Sequence, residues 1–488
     1  MKKILILLVA FTTVIVSCKK DFGDLNDNTK QPVSVPPGTL FSFAQKSLVD
    51  IMTSTNVNNN VFRLFAQQWT ETTYIDESNY DLATRNIPQN FWNMMFSGGF
   101  ISSQTSSQVG VLLNLNDAAR LVPLQSDAQA SPAQRKNQAA CIELMEIYAY
   151  ATLVNTYGNI PYSEALDATN VHPKYDDAQT VYLDLLRRLD SALTAIDVAD
   201  GGFGSNDLMF GGDMARWKTF ANSLKLRLGM VIADSNDALA KTTVAAAEAG
   251  AVQTNAENIA FQYLSAPPNT NPVWADLVQS GRKDFVAANT LVDAMKALND
   301  PRIPYYFSTD ATGAYSGGEY GSSNNYATFS KPNAAVTAPD YPSVLFDATE
   351  THFLHAEAIE RGYITGDAAV EYAEGVTASI EAWGGSAADA AAYLAQPSVA
   401  YATAAGNWKQ KIGTQAWIAL YNRGHEAWTT WRRLDYPALV APSDAISVIP
   451  LRYTYPVQEQ NLNTANYNAA VTAIGSDVVG TKLFWDKF

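Results

Sequence analysis

The sequence predicts a mainly α protein. Apolar residues recur at helical spacing behind recognisable N-caps in segment after segment, and alternation of apolar and polar residues never persists beyond a few positions, so strand signals are sparse. Two aromatic-rich tracts fit neither pattern and interrupt the helical frame.

The chain opens with the basic stretch Met1-Lys2-Lys3 and an uncharged run from Ile4 to Val16, the form of an export signal. That run is too short to cross a bilayer as a helix, which takes about 20 apolar residues, and no later segment approaches that length. Ile15-Val16-Ser17-Cys18 resembles the lipobox of bacterial lipoproteins. The Cys18 sulfur would take a diacylglycerol and its freed amine a further chain; at about 0.8 kcal/mol per buried CH2, several chains anchor stably where one does not. Lys19 to Asp24 resembles the export tag that follows the cysteine in surface-exposed lipoproteins of the Bacteroidetes. The polar, proline-punctuated stretch from Asp24 to Gly38 reads as a tether. The expected organisation is a signal over 1–17, a lipidated cysteine and tether over 18–39, and a single folded domain over 40–488.

Ser131, Pro132 and Gln134 supply an N-cap, an N1 proline and a capping-box glutamine, and the apolar run to Tyr157 predicts a buried helix. Asp176 is expected to cap a second helix, with Val181, Leu185, Leu189, Ala192 and Ile196 on its apolar face. A third follows Asp213, its stripe formed by Trp217, Phe220, Ala221, Leu224, Leu228 and Val231. Helices over about Tyr341 to Arg361 and Asp367 to Trp383 are joined by a short connection that makes them antiparallel. A last helix is expected over about Thr414 to Arg433. Cys141 lies in an apolar stretch; with Cys18 acylated no internal disulfide is available, and the fold relies on core packing.

Thirty-three Lys and Arg against 48 Asp and Glu give a net charge of −15 and an isoelectric point near 4.7. A surface of the phosphates' own sign excludes nucleic acid as partner. Charged residues make up only 17% of the chain, against about 25% in ordinary soluble proteins. Aromatics reach 11%, so amides, hydroxyls and tyrosines do much of the wetting. They gather between Ile51 and Phe100 and between Tyr305 and Tyr341, among asparagines, glycines and serines. Irregular tracts of that length are usually functional or disordered, and so many buriable rings argue against disorder.

Motifs for catalysis are missing. There is no HExxH, GxSxG elbow, phosphate loop or dinucleotide fingerprint. His352 and His355 stand three apart on a predicted helix, but their flanks Phe353, Leu354 and Ala356 read as core, so neither a metal nor a cofactor is expected. A pair of glycosidase carboxylates has no sequence signature.

Several segments taken together resemble the SusD/RagB family of outer-membrane nutrient-binding lipoproteins, and its second SusD-like branch in particular. They are Asn155 to Ala165, Trp217 to Arg227, Asp300 to Pro304, His355-Ala356-Glu357-Ala358, Trp428 to Arg433, and Tyr455-Pro456 with Gln458 to Asn463. Near the C-terminus Phe484-Trp485 stands where the family more often has two tryptophans. The resemblance implies degenerate tetratricopeptide-like helix pairs, with long irregular excursions forming a ligand face. It also implies an oligosaccharide or peptide ligand, no enzymatic activity, and a SusC-like TonB-dependent barrel transporter as partner. The chain is therefore expected at the cell outer membrane, facing outwards. A surface glycoside hydrolase and a structural lid without its own specificity are the alternatives. Flat rings in irregular segments suit the apolar face of a sugar, which makes Trp69, Tyr74, Trp92, Trp274, Tyr315, Tyr320 and Tyr326 the candidate contacts, with Arg282 and Asp284 as charged hydrogen-bonding groups. Trp217, Trp428 and Trp431 lie on apolar stripes and are assigned to the core.

Overall fold

Each predicted helix buries one apolar stripe, and the chain satisfies those stripes by packing consecutive helices against each other. The computed structural model describes residues 35–99 and 108–488; the export signal, Cys18 and residues 18–34 lie outside the described residues. Helix α1 (Pro37–Thr53) begins three positions ahead of the expected domain start at 40 and packs on α2 (Val111–Leu121). Four consecutive pairs follow: α3 (Pro132–Tyr157) with α4 (Ala178–Ala195), α5 (Met214–Val231) with α6 (Asp237–Ala247), α7 (Ala348–Glu360) with α8 (Ala368–Ala382), and α9 (Trp408–Ala419) with α10 (Gly424–Leu434). The scaffold is thus mainly α and built on helix pairs. None of the described helices is long and apolar enough to cross a membrane.

The caps act as the sequence predicts at α3, where the Gln134 amide donates to Ser131 Oγ at 3.1 Å and the Ser131 amide donates to Gln134 Oε1 at 2.9 Å. Three boundaries differ from expectation. Asp177, not Asp176, caps α4 by accepting from the Thr180 amide at 2.8 Å. Asp176 instead ends a short strand, β2 (Tyr175–Asp176), paired with Ile160 and Pro161, and its carboxylate accepts from Ser163. Helix α7 starts at Ala348 rather than near Tyr341, because Asp347 is its cap and the branched and aromatic run Ser343–Phe346 forms a strand. The helix expected over 414–433 is two helices. Asn422 takes a positive φ between them, and at Gly424 any Cβ would meet the backbone of Arg63 at 2.5 Å, so the break lets two chain segments touch. Trp217 and Trp428 are buried in the core, as are Trp431 and Cys141.

Two buried glutamates on α7 hold the pairs together. Glu350 and Glu357 are seven positions apart and so share a face. Glu350 Oε1 accepts from Arg227 Nε of α5 at 2.6 Å, and Glu350 Oε2 accepts from Arg423 at the head of α10. Two turns along, Glu357 accepts from Arg361 Nε at 2.8 Å and from Arg433 of α10, while Arg361 also reaches Asp234 at 2.7 Å. Burial pushes the Glu350 carboxyl up, but the guanidiniums of Arg227 and Arg423 outweigh it and hold the group below the usual carboxylate range. Many of the motif residues behind the family resemblance serve this framework: Arg302 turns back on Asp300 at 2.8 Å, both without solvent exposure, and also donates to Gln415 of α9.

Glu350→Ala should therefore cost about 3–5 kcal/mol in denaturant unfolding, because it strands two buried guanidiniums. The cost should shrink as pH falls through the acid range, where wild-type Glu350 itself protonates; an exposed control such as Glu381→Ala should change little.

Candidate functional site

Strand β1 (Trp69–Glu71) pairs antiparallel with β3 (Phe285–Ala287), with Glu71 opposite Phe285. The ladder runs one step further: the Thr72 amide donates to Asp284 O at 2.9 Å and Thr72 Oγ1 to Lys283 O at 2.6 Å. This register sets Tyr74, just past β1, across from Arg282, just before β3. The irregular tract between 305 and 341 is pinned to the same small sheet. Gly318 and Ser330 bond the two sides of the Ala287 peptide at 2.8 Å each, and Asn324 donates its amide to Thr72 O at 3.0 Å. Tyr326 is thereby held beside Lys283. A π-helical turn, Ala275–Gln279, leads into Arg282. Such turns are uncommon and concentrate at functional sites. Asp276 fixes it by accepting from Ser54 and Thr55 of the α1 end.

The result is a groove of two joined hollows that share Arg282, Asp284 and Phe285. Tyr74 and Arg85 line one, a shallow hollow of about 20 Å3; Ser308, Tyr326, Lys331 and Pro332 line the other, which has a volume of about 250 Å3. Tyr74 is 63% exposed, with the Arg85 guanidinium 5.9 Å from its ring centre. Tyr326 is half-buried, with the ammonium groups of Lys283 and Lys331 at 5.7 and 5.0 Å from its ring centre. Burial pushes the Tyr326 hydroxyl up, which keeps it a donor. Arg282 Nε lies 2.5 Å from Asp284 Oδ2, offering a fixed donor and acceptor together.

Of the sequence-predicted residues, the structure brings together Tyr74, Arg282, Asp284 and Tyr326. Trp274 and Tyr315 are half-buried and line neither hollow. Trp69, Trp92 and Tyr320 are core residues without a free face. Trp69 donates its indole N–H to Tyr421 Oη at 3.0 Å, Trp92 packs on Tyr157 and Tyr175, and Tyr320 donates its hydroxyl to Leu64 O at 2.7 Å. The polar neighbours that made these rings look solvent-facing are themselves buried: Gln67, Gln68, Thr70, Ser78 and Asn79. Arg85 and Lys331 were not legible as candidate-site residues, because they come from separate segments with no shared spacing; Lys283, between the chosen Arg282 and Asp284, was passed over. A second cleft, of about 270 Å3, runs between Met52, Tyr341, Trp383 and Arg423. Its Arg423 is already committed to Asp347 and Glu350. His352 and His355, whose flanks read from sequence as core, lie beside a third group that spacing did not reveal, Glu371 of α8.

Beneath Tyr74 two carboxyl groups meet. Glu71 Oε2 accepts from the Ser78 amide at 2.9 Å and from Ser78 Oγ at 2.6 Å, while Glu77 is paired with Arg85. Burial above all, and then neighbouring Glu77, push Glu71 well above the usual carboxylate range, so it keeps its proton. As pH rises past the ordinary carboxylate value the unfolded Glu71 ionises and the folded one does not, so wild type loses stability with rising pH. Glu71→Gln mimics the protonated form; its melting temperature should exceed that of wild type by more at pH 8 than at pH 5, measured by calorimetry. An equal offset at both values would contradict a Glu71 that stays protonated in the folded chain.

The profile of the SusD-like family described as starch-binding and associating with the outer membrane matches residues 29–456. Solved structures with the same fold include a chitin-binding protein, 26% identical with a TM-score of 0.76, covering 93% of this chain and 100% of that one. A SusD homologue of Bacteroides uniformis is 24% identical with a TM-score of 0.75, covering 92% and 99%. A chitin-binding SusD homologue of Flavobacterium johnsoniae is 24% identical with a TM-score of 0.73, covering 92% and 98%. No relative was found among curated proteins. The helix-pair scaffold, its irregular excursions and the family profile agree: the chain belongs to the SusD-like family.

Proposed function

We propose that this protein is a lipid-anchored, surface-facing binding protein that captures oligosaccharides in the groove between Tyr74 and Tyr326 and passes them to a SusC-like TonB-dependent transporter. The observation that carries the reading is Tyr74: a chain that buries most of its rings leaves this one 63% exposed at the mouth of a groove. An exposed ring offers its π face to the C–H face of a pyranose. The Arg282–Asp284 pair then supplies a donor and an acceptor at fixed separation for adjacent sugar hydroxyls. The family description names starch and two of the similar structures are named for chitin, which favours a glycan over a peptide.

Hydrolysis fits the groove less well. Glycosidase carboxylates stand about 5–5.5 Å apart when retaining and about 6.5–9.5 Å when inverting. Glu71 and Glu77 are instead both buried, Glu71 held by Ser78 and Glu77 by Arg85, so neither presents a free carboxyl to a sugar.

Isothermal titration with maltooligosaccharides and chitooligosaccharides should give saturable binding to one of the two series, with the sugar recovered uncut. Tyr74→Ala and Tyr326→Ala should each weaken it roughly tenfold, the equivalent of about 1.4 kcal/mol for a lost stacking face. Affinity unchanged in both variants would remove the groove from the account, and sugar cleavage at a catalytic rate would replace binding with hydrolysis. For the anchor, Cys18→Ser should leave the protein unprocessed or soluble when cells are fractionated; a processed variant still in the outer membrane would contradict lipidation at Cys18.

A further inference from the structure

The antiparallel hairpin of α7 and α8 carries a second, unrelated cluster. His352 and His355 stand one turn apart on α7, and Glu371 faces them from the first turn of α8. One ligand atom from each lies within 4.8 Å of the others, the only such group of three among the described residues. Glu371 Oε2 is 2.8 Å from His352 Nδ1 and 3.5 Å from His355 Nδ1. Ligand atoms on one tetrahedral zinc, at bonds of about 2.0–2.1 Å, are roughly 3.3 Å apart, so the two observed separations bracket the spacing a shared ion needs.

The hydrogen bonds around the cluster point the same way. His352 Nε2 lies 3.1 Å from the Gln253 carbonyl oxygen, which can only accept, so that nitrogen carries a hydrogen. In the neutral ring Nδ1 is then a lone pair, aimed at a carboxylate oxygen that also carries lone pairs. Something positive must sit between them: a second proton or a metal ion. A backbone carbonyl fixing the far nitrogen is the arrangement that orients metal-bound histidines. His355 is buried and its Nε2 has no partner, so no hydrogen bond fixes its tautomer and Nδ1 is free to turn its lone pair to the cluster. The second acidic group acting on His352 is Glu374. His352 and Glu371 retain 13% and 27% side-chain exposure, enough for water to complete the coordination sphere.

We propose that His352, His355 and Glu371 bind one divalent transition-metal ion of the zinc, cobalt or nickel class. Two imidazoles and one carboxylate suit those ions over calcium or magnesium, which prefer all-oxygen shells. The ion would cross-link α7 to α8, the hairpin whose other face carries Glu350 and Glu357.

The test uses the full folded chain without a histidine tag, stripped of metal by a chelator and titrated with Co2+ and then Zn2+. One Co2+ per chain should bind with the visible absorption of a four- or five-coordinate site, be displaced by one equivalent of Zn2+, and raise the melting temperature by several degrees. His352→Gln and Glu371→Gln should abolish all three effects, while His172→Gln, which alters an exposed histidine elsewhere, should keep them. Absence of saturable one-to-one binding, or binding that persists in both cluster variants, would overturn the site and leave a protonated His352 paired with Glu371. If a cluster variant folds poorly, histidine 15N shifts of the wild-type chain decide. Zinc must move the Nδ1 resonances of His352 and His355 and spare His172 and His425; any other pattern overturns the proposal.

Discussion

The fold depends on one constraint: the carboxylates of Glu350 and Glu357 are buried on α7, and buried charge must be paired. Their partners come from elsewhere in the chain, Arg227 from α5 and Arg423 and Arg433 from the α10 pair. Breaking one pair leaves an uncompensated guanidinium in the core, so the three helix pairs can adopt only the arrangement in which all of these groups meet. Apolar stripes bring helices together, but stripes slide; charge pairs with fixed fork geometry set the register. The Leu345 carbonyl belongs to the same cluster, accepting from Arg227 and Arg423, which ties β4 (Ser343–Phe346) to the helical frame.

That rigidity is what lets an irregular tract hold a defined surface. The segment between 305 and 341 has almost no ladder of its own, and it borrows one from β1 and β3 through Gly318, Asn324 and Ser330. The groove it completes is also electrostatically distinct. In a chain of net charge −15, Arg85, Lys283 and Lys331 stand over two tyrosine rings with Arg282 alongside; Glu77 and Asp284 pair with Arg85 and Arg282, which leaves the two lysines as a local positive excess. Rings flanked by cations and amides, over buried carboxyls held by Ser78 and Arg85, form a surface that offers stacking faces and hydrogen-bond donors together.

Helix existence was legible in the sequence and helix boundaries were less so. The Ser131 capping box and the Trp217 stripe decide their helices locally, whereas the start of α7 turned on a contest between helix and strand over Ser343–Phe346 that only the pairing with Ile259–Phe261 resolves. At the groove, composition identified the tracts that meet there but not which of their rings stay exposed. Tyr74 and Trp69 are five positions apart in the same polar, aromatic context, yet one is 63% and the other 1% exposed. What separates them is the antiparallel pairing with Phe285–Ala287, a contact more than 200 positions away in sequence. Arg85, Lys331 and Glu371 were not picked out for the same reason: each joins its cluster only through a neighbour that the fold supplies.

The most direct measurement is a crystal structure of the chain soaked with the oligosaccharide it binds most tightly. The account predicts a pyranose ring lying flat on Tyr74, with its hydroxyls on Arg282 and Asp284 and the next residue of the glycan against Tyr326. Sugar seated in the Tyr341–Trp383 cleft, with the Tyr74 groove open to solvent, would contradict it.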